Sequence, residues 1–350
     1  MVRFKAMAAG LLVVGLGLVG CQSGGAGAQD RASADDLLVQ GDRAFEAGAM
    51  GEALELYKLA SVAARNERDS ARFAEAAAQV SSSLSLLGRT TDGSPWLAQA
   101  RQEKYGDDAR SQARVLLATG LEQRELGQNG AATVVFGQLY ELGMGKRLFG
   151  DAMQAATLAS VTCAPAEQVT WCERALAAAE ADGNKAWIAA AHLSLGFAWE
   201  ARGDHGAAVE ELRTARNLEA PGTRERLRIE WALAHNLRLK GDLAEAGKLL
   251  KEAIPVARSF HARGFAVRDA EWLGRLQEEY AEWLVQCGNL TDSLRAFQAA
   301  RQAYQLAEIQ DRAPEKWRGF EARVAQVRML RVRGNQNAED GHEQGHSHGE

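Results

Sequence analysis

Three histidines near the C-terminus are the residues best able to bind a transition metal. His342, His346 and His348 lie in the segment GHEQGHSHGE, and short histidine-rich tracts can gather metal ions. A closed structural site needs about four well-placed ligands, whereas glycine and serine separate these candidates. We therefore expect weak metal binding at most, and no cofactor.

The sequence contains none of the compact motifs that carry catalysis in enzymes. A glycine-rich phosphate loop, a nucleophile elbow and a metalloprotease helix are all missing. Glutamate and arginine are frequent, but they are scattered along the chain. We therefore expect that the protein is not an enzyme. The formal net charge of −5 also argues against nucleic acid as the main partner.

Three cysteines lie beyond the N-terminal segment, at Cys163, Cys172 and Cys287. Cys163 lies near a turn, and Cys172 lies about two helical turns into the following helix. Their Cα atoms should therefore be farther apart than the ~7 Å that a disulfide allows. The prediction is buried, unpaired thiols.

The elements that position the other candidate residues are helices. The 350 residues include only 5 prolines, and no stretch shows the alternating pattern of a β-strand. One spacing recurs, in which a small residue is followed after twelve, four and three residues by a small, a large and a small one. It is clearest at Gly196, Ala208, Leu212 and Ala215, and it returns from Gly41, Gly120, Ala234 and Ala281. Small residues at these spacings let two antiparallel helices approach closely.

This spacing resembles that of the tetratricopeptide repeat (TPR), a family of helix-turn-helix units. The resemblance implies an all-α fold, a superhelical solenoid of about seven units across residues 35–312. The second and fourth units are divergent, and neighbouring units start more than the usual ~34 residues apart. A capping helix is expected at residues 313–334, with Trp317, Phe320, Val324 and Val327 on its packed face.

Turn chemistry marks the boundaries between helices. Gly203-Asp204, Gly241-Asp242 and Gly288-Asn289 each place glycine where a helix can end in a left-handed residue. The following Asp or Asn then suits the N-cap of the next helix. In the second unit we expect a longer loop from Gly88 to Gly93, with Ser94 as the N-cap.

The resemblance also implies a partner-binding groove, because the first helix of each unit lines the concave face in this family. The groove-facing positions lie three residues before and one residue after the small Gly or Ala. They give an apolar stripe of Leu117, Leu121, Met153, Leu193, Phe197, Trp231 and His235, bordered by Arg114, Arg124, Arg228, Arg238 and Arg275. Such a stripe suits an amphipathic helix or an extended peptide with acidic residues. The alternative is that several of these side chains pack between neighbouring units.

The N-terminus has the pattern of a targeting segment. Arg3 and Lys5 precede an apolar stretch that ends in Leu18-Val19-Gly20-Cys21. Residues 1–20 are therefore expected to be a signal peptide. The ending resembles a bacterial lipobox, which implies a lipid on Cys21 and a flexible tether over residues 21–34. The alternative is an ordinary signal peptide with an incidental cysteine.

Taken together, these features resemble bacterial TPR lipoproteins that serve as assembly factors, pilotins or adaptors at the outer membrane. The resemblance implies a membrane-anchored scaffold of the cell envelope, facing the periplasm, that binds a peptide or helix of an envelope protein. Gln22 after the cysteine favours the outer membrane over the inner one. The alternative is a metal-handling lipoprotein, whose histidine-rich tail at residues 335–350 is expected to be disordered and whose repeats dock a partner.

Overall fold

The computed structural model describes residues 32–263 and 267–345, and all regular elements in these ranges are helical. The chain divides into two compact units, here called the N-terminal unit, which ends at Ser194, and the C-terminal unit, which begins at Leu195. Residues 1–31, with the predicted signal peptide and Cys21, lie outside the described residues. So do His346 and His348.

Sixteen α-helices are present in the described ranges, and the boundary between the units falls within α9. The helices that begin in the N-terminal unit are α1 (Ala34–Glu46), α2 (Met50–Glu67), α3 (Ser70–Leu86), α4 (Thr90–Gln102), α5 (Ala109–Glu125), α6 (Asn129–Lys146), α7 (Phe149–Thr162), α8 (Gln168–Asp182) and α9 (Lys185–Ala201). Those of the C-terminal unit are α10 (His205–Leu218), α11 (Arg224–Lys240), α12 (Leu243–Arg263), α13 (Val267–Gln286), α14 (Leu290–Leu306), α15 (Ile309–Arg312) and α16 (Pro314–Gly345). Helices α1 to α14 thus form seven successive pairs.

The recurring small residues lie where two helices of a pair meet. A Cβ atom added to Gly41 on α1 would come within 2.5 Å of the Tyr57 ring on α2. The same addition at Gly196 on α9 would come within 2.6 Å of Leu212 on α10. Because real Cβ atoms do not approach other atoms so closely, any larger residue would push the two helices apart.

The predicted turns have the expected geometry at two boundaries. Gly203 has a φ of +80°, and Asp204 then accepts a hydrogen bond from the backbone N–H of Ala207 at 2.9 Å. Gly288 has a φ of +77°, and Asn289 caps α14 in the same way. Glycine adopts this left-handed conformation without a steric penalty, so each pair is specified locally.

The second unit differs from the prediction. Helix α4 begins at Thr90, within the expected loop, so Ser94 does not cap it and Pro95 lies inside the helix. Pro95 has no backbone N–H to donate to the carbonyl four residues earlier, that of Thr91. The Ser94 hydroxyl donates a hydrogen bond to a different carbonyl, that of Thr90, at 3.2 Å. The Ser94-Pro95 pair therefore lies one turn inside the helix, and not at its start as the sequence predicts.

The last helix packs as predicted but runs farther. Phe320, Val324 and Val327 are buried in the core of the C-terminal unit, with Trp317 packed against it. Helix α16 continues to Gly345, past the boundary at 334 and into the tail that was expected to be disordered. Extending an existing helix costs far less than nucleating a new one, which explains how a polar sequence can continue it.

The three described cysteines are unpaired, but they are not all buried. Cys172 on α8 is buried, and burial raises the pKa of its thiol to about 12. Cys163 is half-buried just after α7, whereas Cys287 is exposed in the turn after α13. The prediction of a buried thiol is therefore wrong for Cys287, because it lies in the turn rather than on the packed face of the helix.

Candidate functional site

Two of the predicted groove residues meet in the C-terminal unit. The ring centroids of Phe197 on α9 and Trp231 on α11 are 6.4 Å apart. His235 lies one turn after Trp231 and stacks on it, at 5.8 Å and 17° between the ring planes. All three side chains are half-buried, so they line a surface rather than fill a core.

A fourth aromatic residue, Trp272 on α13, extends this set. Its ring centroid is 5.9 Å from that of Trp231, and its side chain is also half-buried. We call Phe197, Trp231, His235 and Trp272 the aromatic surface. The repeat frame does not predict Trp272, because it assigns only two groove-facing positions around each small residue. The neighbouring Arg275, a predicted border residue, is the feature of the sequence that indicates this part of the surface.

Two arginines cover the aromatic surface. The guanidinium carbon of Arg275 lies 5.5 Å from the ring centroid of Trp231 and 5.0 Å from that of Trp272. That of Arg228 lies 5.7 Å from the Trp272 ring. All three distances fall within the range of a cation–π contact.

These two guanidinium groups differ in their charge balance. Arg275 donates a hydrogen bond to Glu271 at 2.9 Å. Arg228 makes no ion pair or hydrogen bond with any residue that the structure describes. Burial lowers the pKa of Arg228, and the charges of Arg275 and Arg268 lower it further, while Glu225 offsets this only in part. Arg228 therefore brings to the aromatic surface a positive charge that forms no ion pair with the residues described.

The structure places Arg238 differently from the prediction of a groove border. Its side chain is buried, 9% exposed, and its guanidinium bonds to the carboxylate of Glu279. The other oxygen of Glu279 lies 2.8 Å from Nδ1 of His235. Arg238 thus belongs to the interior, because Glu279 of α13 draws its side chain inward.

His235 links this buried ion pair to the aromatic surface. Burial by itself would lower the pKa of His235. The hydrogen bond to Glu279 and the charges of Glu279 and Glu200 outweigh that effect, so the pKa is raised. The imidazole ring is therefore held in place from one side by Glu279 and from the other by its stacking on Trp231.

The predicted residues of the N-terminal unit lie elsewhere, around a groove of about 470 Å³. Its walls come from the first helices of successive pairs, α1, α3, α5, α7 and the start of α9. Leu117 and Leu121 form part of its buried floor, and Met153 is half-buried. The remaining lining residues include Asp42, Phe45, Glu46, Gln79, Ser82, Leu86, Arg114, Asp151, Gln154 and Trp187.

Leu193 does not line this groove. It is only 5% exposed and packs in the interior, which is the alternative that the sequence left open. Position relative to the small residue therefore does not decide by itself whether a side chain faces a groove. The neighbouring helices decide how much of it they cover.

The described residues contain no group of three or more His, Cys, Asp or Glu that could hold a metal ion. His342 lies on α16, and its side chain is not described, so the metal prediction for the tail stays a prediction. No helix in the part of the chain that the structure describes is long and apolar enough to span a membrane.

Comparison with known proteins adds to the fold. No family model and no curated protein sequence matches the chain. A signal transduction ATPase of Pyrococcus horikoshii with a tetratricopeptide repeat sensor superposes with a TM-score of 0.64 at 13% identity. The match covers 78% of this chain and 42% of that protein. The fold is that of a tetratricopeptide-repeat protein.

Two further solved structures are more distantly similar. The apo form of RapI matches with a TM-score of 0.48 at 14% identity, over 79% of this chain and 98% of that one. Yeast Tom70 matches with a TM-score of 0.42 at 11% identity, over 93% and 70%. At these identities the likeness concerns the fold alone, so the function must be argued from the chain's own surfaces.

Proposed function

We propose that this protein is a membrane-anchored scaffold or assembly factor of the bacterial cell envelope. In this proposal the aromatic surface binds a peptide or an amphipathic helix of a partner protein. Repeat folds specify how side chains are displayed and not what they bind, so the site carries the proposal.

The observation that carries it is Arg228, which lies on the face of a half-exposed tryptophan and has no ion-pair partner in the described ranges. Tryptophan and arginine dominate the binding energy at protein interfaces, particularly where neighbouring contacts exclude water. A half-buried guanidinium that forms no ion pair keeps an uncompensated positive charge. A carboxylate of the partner would form an ion pair with it. The preferred partner segment therefore combines an apolar side chain with an acidic one.

Replacing Phe197 and Trp231 together by alanine tests the proposal. We expect partner capture from cross-linked envelopes to weaken by about 2 kcal/mol or more, a typical hot-spot cost. Trp199→Ala is the matched control, because Trp199 lies on α9 two residues after Phe197 and contacts Arg202 instead. A folded double variant with undiminished capture would place the partner elsewhere.

A charge reversal covers the case in which the double variant fails to fold. Arg228→Glu should reduce capture strongly, since it places a carboxylate where the partner's carboxylate is expected. Arg295→Glu on α14 is the control, because the Arg295 side chain is 75% exposed and far along the chain. Equal capture by both variants would exclude an acidic partner at this surface.

The membrane anchor rests on Leu18 to Cys21, outside the described residues. If this segment is a lipobox, Cys21→Ser should block lipid attachment and move the protein out of the membrane fraction. Detergent-phase partitioning together with mass analysis of the mature N-terminus measures both effects. Unchanged partitioning, with no fatty acid on the wild-type protein, would contradict the anchor but leave the binding proposal standing.

A further inference from the structure

The groove of the N-terminal unit contains an unused hydroxyl group. Ser82 on α3 lines the groove, is only 2% exposed, and its Oγ has no hydrogen-bond partner among the described residues. A buried polar group without a partner costs free energy, so native structures rarely keep one. A ligand that offers a carbonyl oxygen in this groove would accept the Ser82 proton.

A second polar group lies one turn earlier on the same face of α3. Gln79 also lines the groove, and its Nε2 donates hydrogen bonds to Asp42 at 2.9 Å and Tyr57 at 3.4 Å. Its carbonyl oxygen receives none from the residues described. Residues three apart on a helix are neighbours. Ser82 and Gln79 therefore present a donor and an acceptor side by side, the pair that a peptide backbone requires.

The charge of the groove is acidic. Its lining carries three carboxylates, Asp42, Glu46 and Asp151, against the one guanidinium of Arg114, which leaves a formal charge of −2. Arg114 is already bound between Asp151 at 2.8 Å and Asp42 at 3.5 Å. Glu46 at the end of α1 is exposed and makes no ion pair within the described ranges. A cationic group of a ligand would form an ion pair with the Glu46 carboxylate.

We propose that this groove binds an extended peptide segment in which a large apolar side chain lies next to lysine or arginine. The apolar side chain packs on the floor formed by Leu117 and Leu121. The backbone bonds to Ser82 and Gln79, and the cation pairs with Glu46. A groove of about 470 Å³ accommodates a few residues. The site is separate from the aromatic surface and has the opposite charge preference.

Binding of two labelled peptides to the full-length chain tests the charge preference. The first is acetyl-Ala-Lys-Leu-Phe-Lys-Ala-amide, and the second replaces both lysines by glutamate. By fluorescence anisotropy the basic peptide should bind about tenfold more tightly or better, with the preference weakening as salt rises. Glu46→Gln should reduce this preference, whereas Glu52→Gln on α2, outside the groove, should not.

Serine-to-alanine variants test the backbone part with an internal control. Ser82→Ala and Ser83→Ala each remove a buried hydroxyl that has no partner, but only Ser82 lines the groove. Both variants should therefore raise the midpoint of unfolding slightly. Only Ser82→Ala should weaken binding of the basic peptide. The affinity should fall by about fivefold, the usual effect of losing one hydrogen bond.

Three results would overturn the proposal. The first is equal binding of the basic and acidic peptides, and the second is unchanged affinity in Ser82→Ala. The third is self-association of the protein that Ser82→Ala abolishes, which would make a second copy the occupant. Loss of peptide binding in Ser82→Ala with intact binding in the Phe197 and Trp231 double variant would support it. That pair of variants also separates this site from the proposed function.

Discussion

Arg114 and Arg228 occupy equivalent positions in the two units, yet their surroundings are opposite. Each lies six residues before the small residue of its repeat, Gly120 on α5 and Ala234 on α11. Arg114 is held between the carboxylates of Asp42 and Asp151. Arg228 lies over Trp272 and has no carboxylate partner in the described structure. One repeat thus neutralises its arginine internally, and the other leaves the charge available to a partner.

The difference shows that the repeat frame sets where a side chain projects, while the flanking helices decide its chemical state. Asp151 comes from α7, the first helix of the next pair, and Asp42 comes from α1, the first helix two pairs earlier. On α13, beside α11, the residue that faces Arg228 is an aromatic one, Trp272. The same arginine is therefore a structural residue in one unit and a candidate binding residue in the other.

The largest change in the free energy of unfolding is expected when the buried carboxylates of the two units are replaced. Glu279→Ala leaves Arg238 and His235 without their common partner, which should lower the free energy of unfolding by about 3–5 kcal/mol. Glu75→Ala should lower the free energy of unfolding by less, although Glu75 is fully buried beside Arg72. Burial keeps the pKa of Glu75 raised, whereas the pKa of Glu279 is lowered, so Glu279 is the better paired. Urea unfolding measures both, and equal costs would contradict this ranking.

The two equivalent arginines should separate stability from binding. Arg114→Ala leaves two neighbouring carboxylates without their bridge, so it should destabilise the protein by about 2 kcal/mol. Arg228→Ala removes a charge that has no ion-pair partner in the described structure, together with a cation–π contact to Trp272. It should therefore lower the free energy of unfolding by no more than about 1 kcal/mol, while partner capture falls. Thermal melts run beside envelope capture provide the comparison. If Arg228→Ala melted as early as Arg114→Ala, Arg228 would be a structural residue after all.

The smallest effect is expected in the pH dependence of stability. The pKa of His235 is raised in the folded state. The stabilisation that protonated His235 gives the folded protein is therefore complete below the pKa of the unfolded chain, about 6.5. That contribution is lost as the pH rises through the folded pKa. Glu279, Glu200 and Arg238 face the ring. Unfolding measured from about pH 6 to pH 8 should show the loss in the wild type and not in His235→Gln. Parallel curves would contradict the assignment.

The sequence predicted the helical pairs and the aromatic contact well, because both depend on local spacing. Gly196 meets Leu212, and Phe197 meets Trp231, as the repeat frame requires. It failed for Arg238 and Leu193, which are covered by neighbouring helices. It also failed at Ser94, since the start of α4 depends on how the chain leaves α3.

The sequence by itself determined the repeat frame, the turns at Gly203 and Gly288, and the face of α16 that packs. Each of these depends on residues a few positions apart, whose relation the helix geometry fixes. Only the tertiary structure decided that Trp272 joins the aromatic surface, and that Arg228 and Ser82 find no partner among the residues it describes. Those facts depend on residues tens of positions away on adjacent helices, and the spacing within one helix carries no information about them.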